Sequence, residues 1–128
     1  AFGRYLAEGK CAYVARRTPG TRTAIRALLE AGATPVLAHP YRLPMDAPAL
    51  YMLIRDWISC GLRGVEAYHP SATRAQARAL EAFARRNALL VTGGSDFHGD
   101  VGARVRMARM PGGWTRVRED AQALLNAQ

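Results

Sequence analysis

Cysteine, histidine and lysine are all scarce in this 128-residue chain. The two cysteines, Cys11 and Cys60, have no ligand or redox spacing, which argues against a disulfide framework or a cysteine-based zinc site and for buried thiols. No apolar run approaches the roughly 20 residues of a membrane-spanning helix. No signal-peptide pattern opens the chain, so a cytoplasmic protein is expected. Low-complexity tracts and linker-like stretches are absent as well. With 49% apolar and 22% charged residues, disorder and collagen-like structure are excluded and one globular domain is expected. Lysine is nearly missing: Lys10 stands alone beside seventeen arginines, and the formal net charge is +8. Those arginines are dispersed, and the bias resembles that of a GC-rich genome. The charge therefore reads first as a solvated surface and second as a nucleic-acid footprint. An initiator Met is lacking too. The chain begins at Ala1 against a segment, Phe2 to Glu8, that reads as helix, so a piece of a longer protein is expected.

Three segments carry a 3.6-residue apolar period. Thr21 to Ala31 has its stripe at Ile25, Leu28 and Leu29, with Gly32 as the stop. Ala47 to Cys60 has Leu50, Leu53, Ile54, Trp57 and Ile58, with Asp46 as N-cap, Pro48 in the first turn and Gly61 beyond the end. Thr73 to Asn87 has Ala77, Leu80, Phe83 and Ala84. Each is followed by a short apolar run bounded by Gly or Pro: Thr34 to His39, Leu62 to Tyr68 and Leu89 to Thr92. These runs are too short for helices and read as strands. A helix–strand alternation with short loops implies an α/β fold of parallel strands joined by crossover helices. Gly99 to Gly113 reads as loop and Val117 to Asn126 as a final helix.

The three histidines, His39, His69 and His98, all fall at or just past the C-terminal end of a strand, where parallel α/β barrels build their sites. In the Gly93-Gly94-Ser95-Asp96-Phe97-His98 stretch, an extended backbone would point Asp96 and His98 to one side. A carboxylate with an imidazole suits Mn²⁺, Zn²⁺ or Fe²⁺; the alternative is a surface turn capped by Asp96. The two glycines permit positive φ or a close backbone approach. Pro40 and Pro70 should hold His39 and His69 extended at their strand tips. Glu66, a carboxylate within an apolar strand, should face the rim or pair with an arginine. Arg42 could grip phosphate bidentately or lie on the surface.

The set GKCAYVARR, VLAHPYR, RGVEAYHP and VTGGSDFHGD, in that order and spacing, resembles the PHP (polymerase and histidinol phosphatase) superfamily. It is most similar to the TrpH/YciV-like branch of metal-dependent phosphoesterases. The resemblance covers almost the whole chain, and AHP followed by GSDFHG is its most specific part. It implies the C-terminal half of a distorted (β/α)₇, TIM-like barrel that hydrolyses phosphate esters of nucleotides or short RNA 5′ ends with metal-activated water. Residues 1–20 would be a return segment from an inserted small domain and 21–128 the barrel units. Up to three divalent ions (Mn, Zn, Fe or Mg) are implied, with His39, Asp96 and His98 as ligands. Lys10, Arg16, Arg17, Arg42 and His69 would contact substrate, while Glu66 and Tyr68 line the same rim.

The family's opening motifs, of the form DLHxHTxxSDG, TDHD and GVEIS, are absent. Where many relatives carry a second His past the VEAYHP tyrosine, this chain has Ser71, Ala72 and Thr73. The 128 residues alone are therefore expected to be nearly inactive, with one long apolar strand edge left for a missing N-terminal half or a second copy to cover. Two rivals stand beside this reading. One is a non-catalytic nucleic-acid-binding or interaction module; the other is a histidinol-phosphatase-like phosphomonoesterase.

Overall fold

The computed structural model describes residues 2–15, 17–99, 112 and 114–126. Three helices form where the apolar period places them, with ends shifted by one residue: α1 (Thr21–Glu30), α2 (Ala47–Ser59) and α3 (Arg74–Arg86). Their starts follow from capping. The Asp46 carboxylate accepts the Ala49 N–H at 2.9 Å and opens α2. Thr73 and Gln76 form a reciprocal capping box on α3: Gln76 N–H donates to Thr73 Oγ1 (3.2 Å), and Thr73 N–H donates to Gln76 Oε1 (2.8 Å). A fourth helix, α4 (Trp114–Asn126), begins three residues earlier than the sequence pattern suggests. The loop expected from Gly99 to Gly113 lies mostly outside the described residues. The expected opening helix is only a π-helical turn, Phe2–Leu6. Five residues without a cap offer too few bonds to repay nucleation, and Gly9, at φ 77, turns the chain away.

The strands are β1 (Val36–Leu37), β2 (Gly64–Tyr68) and β3 (Leu90–Gly93), all parallel in the order β1-β2-β3. Gly64 lies at the centre, opposite Val36 and Leu90; a Cβ there would come within 3.1 Å of both side chains. The first strand is shorter than expected. Pro35 has no N–H to give a ladder, and His39 has left the extended region at φ 36, ψ 59. Pairing of β2 with β3 shifts by one residue between Glu66 and Tyr68, a bulge near the C-terminal end of the sheet.

The core lies between sheet and helices. Leu50 and Ile54 of α2, and Leu80 and Phe83 of α3, close over Val65 and Val91, all at most 2% exposed. Helix α4 adds a polar contact to the outer side of β3. Leu90 N–H faces inward and donates to Arg63 O at 2.9 Å, so the next amide, Val91 N–H, faces outward. There it donates to Oδ2 of the buried Asp120 at 2.6 Å. Among the described residues the sheet edges are short: β1 has two residues, and the Val91 N–H of β3 is taken by Asp120. Neither cysteine matches a buried thiol fully. Cys11 is exposed, Cys60 is half-buried, and both are free. No helix among the described residues is long and apolar enough to cross a membrane.

Candidate functional site

The C-terminal ends of the three parallel strands bring four side chains of the sequence-based set towards one another. Glu66, near the end of β2, is half-buried and receives the backbone N–H of His39 on Oε2 at 2.6 Å. That bond joins the tip of β1 to β2. It also accounts for the unexpected conformation of His39. Pro40 does exclude the right-handed helical region, but the residue goes left-handed instead of extended, at a cost of about 1–2 kcal/mol for a non-glycine residue. The charge-assisted bond from Glu66 offsets that cost, and the His39 carbonyl accepts from Arg42 N–H at 3.0 Å to start the 3₁₀ turn Pro40–Arg42. A Cβ on Gly94 would lie 3.1 Å from Glu66 Oε1, so the loop after β3 approaches the same carboxylate. No ion pair joins Glu66 to an arginine among the described residues.

His69 follows β2 directly and is 4% exposed. Its ring stands edge-on to that of His39, with centroids 5.5 Å apart and planes at 62°. Asp96 lies on the other side: its Oδ2 is 3.5 Å from His69 Nε2 and 3.3 Å from Arg42 Nη1. Residues separated by up to 57 positions thus share one end of the sheet through His69. Asp96 too is left-handed, at φ 51, whereas neither Gly93 nor Gly94 takes positive φ. The strained turn falls on the aspartate, which can stabilise it locally, while Gly94 serves the close approach to Glu66. The extended geometry expected to align Asp96 with His98 is consequently lost. His98 has an 80% exposed side chain, and its Nδ1 lies 2.6 Å from the Asp96 carbonyl and 3.6 Å from Oδ1.

Two tyrosines brace the surroundings. Tyr41, in the turn that carries Arg42, donates to the Gln76 carbonyl at 2.9 Å and lies 3.4 Å from Tyr51 Oη. Burial, then the bond to Tyr51, raises its pKa well above the ordinary phenol value. The Tyr68 hydroxyl donates to Glu81 on α3, and burial followed by that bond pushes its pKa up to about 12. The bulge after Glu66 re-aims the strand here, so Tyr68 is a structural tie to α3 and not a rim group. Lys10 and Arg17 are exposed before α1, and no hydrogen bond or ion pair among the described residues joins their side chains to the cluster. Arg16 lies outside the described residues.

Imidazole nitrogens and carboxylate oxygens are donors of the kind that hold Mn²⁺, Zn²⁺ or Fe²⁺. They fit such an ion in chemistry but not in number. Among the described residues no group of three His, Cys, Asp or Glu is placed to hold a metal ion. Ser71 is the site residue that the sequence did not single out for a role. Its backbone N–H and hydroxyl both meet His69 Nδ1, at 3.0 and 2.7 Å. A serine two residues past a histidine is too common a pattern to signal this.

No protein-family model matches the chain. Over 81 residues, 63% of the chain, it is 42% identical to a phosphoribosyl 1,2-cyclic phosphate 1,2-diphosphodiesterase of Eggerthella lenta, covering 29% of that protein. Over 98 residues, 77% of the chain, it is 36% identical to a 5'-3' exoribonuclease of Haemophilus influenzae, covering 36% of that protein. The chain thus spans about a third of the length of these curated relatives. Among solved structures it is similar to a protein of Bifidobacterium adolescentis designated a metal-dependent phosphoesterase. There the TM-score is 0.66, with 30% identity over 88% of this chain and 40% of the other. All three names are those of hydrolases that act on phosphate esters.

Proposed function

We propose that this chain is the C-terminal part of a metal-dependent phosphoesterase built on a distorted (β/α)₇ barrel. Its substrates would be phosphate esters of nucleotides or the 5′ ends of short RNA. One observation carries the reading: His39, Glu66, His69 and Asp96 converge at the C-terminal ends of three consecutive parallel strands. The hydrolase names of the similar proteins support the reaction class, and the net charge of +8 suits a polyanionic substrate.

His39, Asp96 and His98 would each be a ligand to one of up to three divalent ions (Mn, Zn, Fe or Mg), divided between different ions whose remaining ligands come from residues outside this set. When bound, such ions supply positive charge against the phosphoryl oxygens and the leaving oxygen. The chain's own part is binding and orientation. Glu66 fixes the His39 backbone, Arg42 offers guanidinium donors to phosphate from the 3₁₀ turn, and His69 faces the same space from the end of β2. Lys10, Arg16 and Arg17 would add phosphate contacts from the preceding segment.

The test is turnover of the parent protein with Mn²⁺, measured alongside thermal melts. Asp96→Ala and His98→Ala should each abolish metal-dependent hydrolysis without unfolding the protein: the exposed Arg42–Asp96 pair contributes at most about 1 kcal/mol, and alanine at the left-handed position 96 costs about 1–2 kcal/mol more. Wild-type rates in both variants would sink the assignment.

A further inference from the structure

Ser71 sets an obligate donor against the imidazole of His69. Its backbone N–H lies 3.0 Å from Nδ1, and an amide N–H can only donate. Nδ1 therefore presents a lone pair to Ser71, and the ring proton sits on Nε2. The Ser71 hydroxyl, 2.7 Å from the same nitrogen, is a second donor to that lone pair. On its far side the ring is buried, and among the described residues Nε2 has no hydrogen-bond partner. The nearest carboxylate atom, Asp96 Oδ2, is 3.5 Å away, longer than a good N–H···O bond. A buried N–H donor without an acceptor is rare enough in folded proteins to require one from elsewhere.

We propose that His69 is a fixed Nε2–H donor to an external anionic oxygen, and that Ser71 is the positioning residue that makes it so. The oxygen is a phosphoryl oxygen in the phosphoesterase reading, on which this inference rests. The same tautomer bars His69 from ligating a cation through Nε2, because ligation needs the lone pair that the proton occupies. Two neighbouring imidazoles thereby differ in kind: His69 faces anions, although its ring lies only 5.5 Å from that of His39. Arg42 completes the arrangement. Its Nη1 and His69 Nε2 both approach Asp96 Oδ2, at 3.3 and 3.5 Å, so two N–H donors converge on a single negatively charged oxygen position.

Long-range ¹H–¹⁵N correlation spectra of the histidine-labelled 128-residue chain read the tautomer directly. His69 should show the Nε2–H pattern in the wild type and in Ser71→Ala, which keeps the backbone N–H. Zn²⁺ should leave that pattern intact, and inorganic phosphate should shift Nε2 and not Nδ1. His69→Ala should weaken phosphate binding about 10- to 100-fold, the loss of one hydrogen bond to a charged group. His69→Gln, which returns an N–H near the Nε2 position, should recover part of it. An Nδ1–H pattern, or loss of the Nε2 proton on adding Zn²⁺, overturns the tautomer assignment. Phosphate that leaves Nε2 unmoved overturns the anion role. None of these readouts uses turnover, so hydrolysis that survives Asp96→Ala would sink the phosphoesterase reading separately and leave the tautomer result standing.

Discussion

Single side chains in this molecule are held by partners that spacing does not announce. Tyr68 shows the energetic side of this. Burial and its bond to Glu81 favour the neutral phenol, so the folded pKa, about 12, exceeds the ordinary value of 10.0. A group raised in this way stabilises the fold fully below pH 10 and loses that contribution as pH climbs towards 12. Chemical denaturation between pH 9 and 12 should therefore show a falling midpoint that Tyr68→Phe flattens. At neutral pH that variant should cost about 1 kcal/mol, the usual net worth of one hydrogen bond. An unchanged alkaline slope in Tyr68→Phe would refute the assignment. Histidines and carboxylates at strand ends are a visible pattern, and His39, Glu66, His69 and Asp96 do lie together, whereas His98 stays exposed and neither Lys10 nor Arg17 joins them among the described residues. The sequence did not show how they are held. Left-handed His39 and Asp96 and the Ser71–His69 contact depend on loop geometry, which no periodicity encodes.

At the scale of elements, helices were far more legible than strands. An apolar stripe repeated over three turns, ended by a cap, fixes a helix to within a residue, as in α1, α2 and α3. Thr73→Ala removes half of the α3 capping box and should lower stability by about 1 kcal/mol in urea melts; no change would show the box to be incidental. Strand ends, by contrast, are decided by whoever supplies the neighbouring hydrogen bonds. Proline at position 35 and the turn at His39 left β1 with two residues, although its apolar run is six long. The joint between α4 and β3 is equally silent in the sequence. Asp120, to which the sequence pattern assigns no role, is buried on the Val91 amide. Asp120→Ala strands that N–H and should cost about 1–3 kcal/mol. Amide exchange should quicken at Val91 well before it does at Val65, which lies in the middle of the sheet; equal protection at both would refute the role of the carboxylate.

The described residues of the molecule form a three-stranded parallel sheet covered by helices, and the candidate site is assembled at one end from loops that follow all three strands. The α/β class was readable because helix and strand periods alternate along the entire chain. The completeness of the site was not, since ligand number depends on residues that must meet in space. Without a closed set of three metal-binding side chains among the described residues, the 128 residues alone should hydrolyse p-nitrophenyl phosphate or 5′-phosphorylated RNA only marginally with Mn²⁺. A rate on the order of 1–10 per second, typical of enzymes, would show that this chain is sufficient. The Asp120 contact carries a consequence for how such a sheet can be extended. A strand arriving beside β3 must first evict a carboxylate already bonded to the Val91 amide, whereas among the described residues no side chain is bonded to the main chain of β1. Among the described residues the two flanks are thus unequal as templates: the β3 flank is latched by a side chain and the β1 flank is not.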